Sequence, residues 1–540
     1  MSVLLQTHRE TTAKTRWVVV VLLAQMAFAL VTAAVQQTPT IDEPVYVGAA
    51  AVQLEQHSLR YNPEHPPLGK LIMGAGLAFA RPELDPADAP DQTLLGQRLL
   101  YESGNDAWRL MLAARVPIII LTLLFGLVVF AFARDLTGPL GGLVALALFT
   151  FSPDLIAHGS LATLDVPVTG FLVTTAWLLW RARGRPVLYL PLAGLALGAA
   201  QATKMSALAA LPVLLPLVVL AVWSATSGKA ARRLAIGVAA AAGVLAIAVA
   251  VVWAAYLAVD LRLDPTTVER VPYVGPRRRL AVDLLPFPEA YKVGVRVQSG
   301  WEDRDVAGFL LGRKYLGSIW YYLPVALAIK TPLGMMALWA AGSATMLAVR
   351  RLRPAVPFVL IPAAALLVAA MASARNFGVR YALFLPMLLA VAAAAVVLWR
   401  SRWARAVAAG LVLFVAVSSA ATYPYYLPYS NEAFGGPSQT ARYLHDSNVD
   451  WGQDLGRLGH LLHDKYPGER VWLVYKGSGV PAYYGIDAHD PLRASPEDVH
   501  GLLVVSDSRI ARANRRLLRL MEGAEKIDRV GHSITIFRRP

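Results

Sequence analysis

Apolar runs long enough to cross a bilayer recur along the whole of this 540-residue chain, which points to a bundle of membrane helices. A helix needs roughly 20 apolar residues to span the hydrocarbon core, and within lipid each backbone N–H and C=O must be satisfied inside its own segment. Eleven spans are predicted: Trp17–Val35, Val116–Ala133, Leu140–Ser152, Val166–Trp180, Val187–Ala202, Ser206–Trp223, Leu234–Leu257, Pro332–Val349, Ala355–Ala372, Tyr381–Trp399 and Ala406–Thr422. The third and fifth are short for the task. Composition agrees, with 56% hydrophobic and 16% charged residues, too apolar for a soluble chain of this size. The first run is too long for a signal peptide and lacks a small-residue cleavage site, so it reads as an anchor.

Basic residues mark one side of this bundle. They precede the first span (Arg9, Lys14, Arg16) and follow the second (Arg134), fourth (Arg181, Arg183, Arg185), sixth (Lys229, Arg232, Arg233), eighth (Arg350, Arg351, Arg353) and tenth (Arg400, Arg402, Arg405). Every second junction is therefore basic, and the positive-inside rule assigns those junctions to the cytoplasm. An odd number of spans then leaves the N-terminus inside and the tail outside. Much of the net charge of +15 is topological on this reading, and nucleic-acid binding is not expected. The chain has no cysteine, which excludes disulfides and thiolate ligands.

The same topology gathers the unusual polar residues on the outer face. Asp42-Glu43 follows the first span, and Glu64, His65 and Lys70 lie in the same loop. His158 and Asp165 flank the next outer loop, and Lys204 interrupts the third. A long segment, 258–331, ends in Lys330-Thr331-Pro332, and Arg375 and Arg380 precede the tenth span. Ionisable groups at a membrane border are costly to keep, and their convergence on one face argues for a site there. The alternative for the acids is helix capping, and for the bases snorkelling toward headgroups.

Between the spans, Pro44–His57 reads as a short amphipathic helix and Leu68–Ala80 as an interfacial one, while Trp301, Trp320, Tyr321 and Tyr322 resemble an aromatic belt. From Tyr423 onward the pattern changes to soluble α/β. Arg470–Tyr475 and Leu502–Ser506 read as buried strands, Ile510–Glu522 as a basic helix and Ser533–Phe537 as a closing strand. Asp450-Trp451-Gly452-Gln453-Asp454 reads as a helix start capped by Ser447 or Asn448.

Seven segments in order carry a family resemblance: "TIDEPVYVGAA", "NPEHPPLGKL", "AHGSLATLDVPVTGF", "ATKMSAL", "YLPVALAIKTPL", "NFGVRYALFLP" and "SNVDWGQDL". Together they resemble the polyprenyl-phosphate-dependent glycosyltransferases of the C superfamily (GT-C), in the group of protein O-mannosyltransferases and lipid A aminoarabinose transferases. The fold this implies is an α-helical polytopic membrane protein of GT-C type with about 11 transmembrane helices. Residues 1–422 would form the membrane domain, with outer loops 36–115 and 258–331, and residues 423–540 a soluble extracytoplasmic α/β domain. The location implied is a bacterial plasma membrane.

The resemblance also implies a chemistry. A sugar on a polyprenyl phosphate passes to an acceptor hydroxyl, on a protein, lipid or glycan, usually with inversion. Asp42 matches the expected general base, with Glu43 orienting the acceptor or Asp42 itself. Asp165 matches a second acid that positions the acceptor or shares a divalent cation with Asp42; before Val166-Pro167 it also suits a helix start. Arg380, Lys204 and Lys330 are the candidate cations for the leaving phosphate. Glu64-His65-Pro66 stands where aminoarabinose transferases have Glu-Lys-Pro, so His65 or Lys70 would replace that lysine, and Glu64 would meet substrate or metal. The arginine that the family carries shortly after its acidic pair is missing, since Pro44-Val45-Tyr46 follow. A transporter would also gather charge in the membrane, but it predicts inverted repeats that the sequence lacks.

Overall fold

The computed structural model describes residues 2–85, 89–263 and 271–540; positions 264–270 of the predicted loop 258–331 lie outside the described residues. Helices α1 (Ser2–Gln36) and α2 (Glu43–Glu55) flank Asp42, and Glu43 opens α2. They are followed by α3 (Leu68–Ala80), α4 (Gln92–Tyr101), α5 (Ala107–Thr137), α6 (Pro139–Thr150), α7 (Pro153–Gly159), α8 (Asp165–Ala182), α9 (Pro186–Thr203), α10 (Leu211–Ala225) and α11 (Ala230–Val259). After α12 (Pro276–Asp283) and α13 (Glu289–Glu302) come α14 (Tyr322–Lys330), α15 (Leu333–Ala348), α16 (Val356–Met371), α17 (Phe384–Ala393) and α18 (Arg402–Thr422).

Each predicted span coincides with a helix, and the protein is a multi-pass membrane protein. Among the described residues, however, seven helices are long and apolar enough to cross a bilayer unaided, or nine if two bent pairs each make one span. The bends are 62° between α6 and α7 and 115° between α14 and α15. One second half begins at a proline, Pro153, and the other directly follows one, Pro332; proline has no N–H with which to continue a helix. The predicted eighth span is thus the longer arm of a sharply bent pair. Close packing uses small residues: Gly194 and Gly198 on α9 form a Gly-x-x-x-Gly face against Val244, Ile247, Ala248 and Val251 of α11, where backbone approach supplies van der Waals contact.

Beyond α18 lies α19 (Leu455–Lys465) and a five-stranded sheet. A separate hairpin, β1 (Ala307–Leu310) with β2 (Arg313–Leu316), precedes it in the chain. The sheet comprises β3 (Val471–Val474), β4 (Ala488–His489), β5 (Gly501–Ser506), β6 (Glu525–Val530) and β7 (Ile534–Arg539) in the order β4-β3-β5-β7-β6. β3 runs parallel to β4 and β5, while β7 is antiparallel to β5 and β6. Alternate strand residues face opposite cores: Leu473, Leu502, Val504 and Ile536 on one side, Trp472, Leu503, Val505 and Phe537 on the other.

Three local expectations need correction. The predicted helix Ile510–Glu522 is split into Asp507–Ala511 and Arg515–Met521, because Asn514 caps the second through Oδ1 to Leu517 N at 2.9 Å. Residues Asp446–Asn448 form a 3-10 turn, and the helix predicted to start there begins at Leu455. Trp320 and Tyr321 are exposed as a belt requires, but Tyr322 is fully buried, with its hydroxyl accepting from Asn448 Nδ2 at 2.9 Å.

One buried ion pair fixes the acidic loop to the bundle. Arg115 of α5 grips Glu43 with two bonds of 2.7 Å, from Nε and from Nη2. Its Nη1 reaches Gln37 O at 2.9 Å, at the end of α1. Glu43 also accepts from Thr40 N at 2.8 Å and from Ala162 N, just before α8, at 2.7 Å. Both side chains are essentially sealed from solvent, so losing one partner leaves the other charge buried and unpaired. Arg115→Met is expected to cost about 3–5 kcal/mol, read as a lowered unfolding midpoint in detergent, and adding Glu43→Gln is expected to restore most of the loss.

Candidate functional site

Four charged side chains meet where four helical elements end. Asp42 is the residue before α2 and Asp165 the first of α8, both where the positive end of a helix dipole favours an anion. Lys204 terminates α9, at the end that favours a cation. Arg380 sits in a 3-10 turn, Val379–Ala382, before α17. Arg380 Nη1 donates to Asp42 Oδ2 at 2.6 Å and lies 3.8 Å from Asp165 Oδ2. Lys204 Nζ donates to Asp165 Oδ1 at 2.5 Å. The two carboxylates therefore meet one guanidinium.

Burial differs across the cluster in a way that matters for chemistry. The Asp165 side chain is 4% exposed, whereas that of Asp42 is 30% exposed. Asp42 is thus the carboxylate open to an incoming group. Neither Asp42 nor Asp165 gives its carboxylate to its own helix start; each turns to a cation. Arg380 and Lys204 likewise turn inward to acids and not outward to headgroups. Two aromatic rings complete the cluster: Arg380 Cζ lies 4.4 Å from the Trp451 ring and 5.2 Å from that of Tyr381, and Lys204 Nζ lies 5.5 Å from Tyr381.

The other predicted residues are placed differently. Glu43 is consumed by Arg115, Thr40 and Ala162 N, so it positions the start of α2 and meets no acceptor. Lys70 spends its ammonium within its own loop, on Asn62 O (2.9 Å), Asn62 Oδ1 (3.2 Å) and His65 O (2.8 Å), and burial pushes its pKa down to about 7. Lys330 donates to Leu427 O (2.6 Å) and Asn448 O (3.0 Å) and pairs with Asp154 at 3.4 Å, away from Asp42. Neither lysine has donors left for a phosphate. Glu64 accepts from Gln92 Nε2 at 2.8 Å. His65 lies beside the cluster, its ring 5.8 Å from that of Tyr46, with Nδ1 buried and unbonded. Burial, then the charges of Lys204, Lys70, Arg375 and Arg380, hold its imidazole well below the usual range, so it is neutral. A neutral ring does not supply the cation that the missing lysine would have.

The acids do not form a metal cradle. Among the described residues no three His, Asp or Glu side chains gather with ligand geometry. Asp42 and Asp165 are neutralised by Arg380 and Lys204 instead, so this donor set does not fit a divalent ion.

Residues 108–253 match the family model described as dolichyl-phosphate-mannose-protein mannosyltransferase. Over 97% of this chain and 98% of the other, the fold is similar to apo ArnT from Cupriavidus metallidurans, with a TM-score of 0.50 at 15% identity. The chain has the fold of that protein. ArnT of the same organism bound to undecaprenyl phosphate aligns over 97% and 98% of the two chains (TM-score 0.46, 16% identity). The S. cerevisiae Pmt1–Pmt2 complex bound to its sugar donor aligns over 55% of this chain and 39% of that one (TM-score 0.36, 17% identity). No curated protein sequence matches the chain.

Sequence reasoning missed several residues that build this site. Arg115 was legible as a lone cation inside the apolar run "AARVPIII", but its partner lies 72 positions away. Tyr46 and Tyr381 had no distinguishing pattern. A second buried network flanks the site in the tail: Lys476 pairs with Asp446, while Asp450 accepts from Ser508 N at 3.1 Å and Gly452 N at 3.3 Å. Lys476 holds Asp446 down at about 2 despite burial, whereas burial pushes Asp450 up to about 7. A carboxyl that binds its proton more tightly folded than unfolded loses stability as pH rises from its ordinary value to its folded one. Asp450→Asn is therefore expected to gain stability over the wild type progressively between about pH 4 and pH 7. Unfolding midpoints of the two proteins across that window check this.

Proposed function

We propose that the protein transfers a sugar from a polyprenyl-phosphate donor to an acceptor hydroxyl, with Asp42 as general base. The observation that carries this reading is the half-open Asp42 beside Arg380, Asp165 and Lys204. The acceptor oxygen attacks the anomeric carbon while its proton passes to Asp42. The bond from that carbon to the phosphate oxygen breaks, and the lipid phosphate leaves with the electron pair. Arg380, and Lys204 behind it, neutralise the charge that develops on the leaving oxygen, an effect strongest in a dry site. Asp165 holds both cations in place. A one-step displacement of this kind inverts the anomeric centre.

The family-model description makes polyprenyl-phosphate mannose the first donor to test, with protein, lipid and glycan hydroxyls as acceptor classes. The basic junctions support a site on the extracytoplasmic face of a bacterial plasma membrane. They also support a membrane unit over residues 1–422 and an outer α/β unit over 423–540. Charges on the other side of the bundle serve topology on this account, not nucleic-acid binding.

Two substitutions separate the roles. Asp42→Asn keeps shape and removes the proton acceptor, so turnover is expected to fall roughly 10²- to 10⁴-fold with donor affinity little changed. Arg380→Ala is expected to weaken donor binding as well as turnover, because it removes charge from the phosphate side. Steady-state kinetics and donor titration with purified protein read both. Near-normal turnover in Asp42→Asn would rule out Asp42 as base.

A further inference from the structure

The tail segment Ser447–Gln453 is stitched to both halves of the Asp42–Arg380 pair. Beside Asp42, Ile41 N donates to Trp451 O at 2.9 Å and Thr38 N to Gln453 O at 3.0 Å. Beside Arg380, Val379 N donates to Asn448 Oδ1 at 3.0 Å, and Ser447 Oγ donates to Phe377 O at 2.7 Å. Trp451 is fully buried between these two attachments. Its backbone N–H donates to Gln453 Oε1 at 2.8 Å, and the His158 ring packs edge-on to its indole at 5.9 Å. The guanidinium of Arg380 lies against the Trp451 ring at 4.4 Å.

The ion pair in this setting is weaker than its chemistry allows. Arginine and carboxylate in a buried site ordinarily form two parallel bonds, yet here one bond joins Nη1 to Asp42 Oδ2. Nη2 lies 3.5 Å from the Tyr381 hydroxyl, and Nε is buried without a hydrogen bond. An aromatic face attracts the guanidinium and fixes its plane. We propose that Trp451 is a positioning residue that holds Arg380 in a one-bond grip on Asp42, leaving an Asp42 oxygen for the acceptor proton and Arg380 N–H groups for the leaving phosphate. This inference rests on the function proposed above. Without the ring, Arg380 swings onto both oxygens of Asp42 and occupies the base.

The test compares wild type, Trp451→Phe and Trp451→Leu as full-length purified proteins, with polyprenyl-phosphate mannose as donor. Main-chain attachments are the same in all three, so the variants differ in the ring alone. Trp451→Leu is expected to lower kcat roughly 10- to 100-fold, the cost of a misplaced catalytic group, with donor KM changed less than about threefold. Trp451→Phe is expected to restore most of kcat, and a structure of Trp451→Leu to show two guanidinium bonds on Asp42. If leucine prevents folding, Trp451→Met fills the space without a π-face and takes its place. Equal loss in the phenylalanine and leucine variants, a change confined to KM, or an unmoved Arg380 would overturn the proposal. A wild type inert toward this donor counts against the proposed function and not against the positioning role, which the Arg380 geometry of the leucine variant still decides.

Discussion

The cost of keeping charge in a low-dielectric interior governs this structure. An unpaired ion inside protein or lipid costs several kcal/mol, so buried charges recruit partners, and three of these partnerships tie distant segments together. Arg115 with Glu43 joins α5 to the loop after α1 and to the entry of α8. Lys204 with Asp165 joins α9 to α8, and Arg380 with Asp42 joins the turn before α17 to α2. The charges of the candidate site are thus positioned by the same requirement that holds the bundle.

A division of labour follows between neighbouring residues. In the acidic pair, Glu43 is fully enclosed and structural, while Asp42 retains exposure and a single bond. Among the lysines, Lys70 and Lys330 have spent their donors on backbone carbonyls, and Lys204 faces an acid. Residue type does not separate these roles; the count of unspent donors and acceptors does. The tail contributes as well, since Trp451 lies against the Arg380 guanidinium and Asn448 accepts from Val379 N beside it.

The parts that were legible in the sequence are the local ones. Run length and the absence of charge are properties of a single segment, and each of the eleven predicted runs is helical. Strands β3, β5 and β7 were legible from short buried runs, whereas β6, "EKIDRV", reads as polar because it lies at the sheet edge. Which apolar helices bend was harder to read, since the 115° turn at Pro332 depends on what packs around it. The site was legible as a set of residue types on one face. Its internal wiring was not, because the partner of Arg115, the stacking of Trp451 and the exhaustion of Lys70 depend on contacts between segments far apart in the chain.

The central claim is a single displacement in which one carboxylate, Asp42, receives the acceptor proton while cations hold the leaving phosphate. The anomeric configuration of the product tests it most directly. NMR of the glycoside formed by purified protein from a polyprenyl-phosphate sugar of defined configuration is expected to show inversion at the anomeric carbon. Retention would require two successive displacements or attack on the face the phosphate leaves, and either would contradict the account of Asp42 as the base of a single displacement.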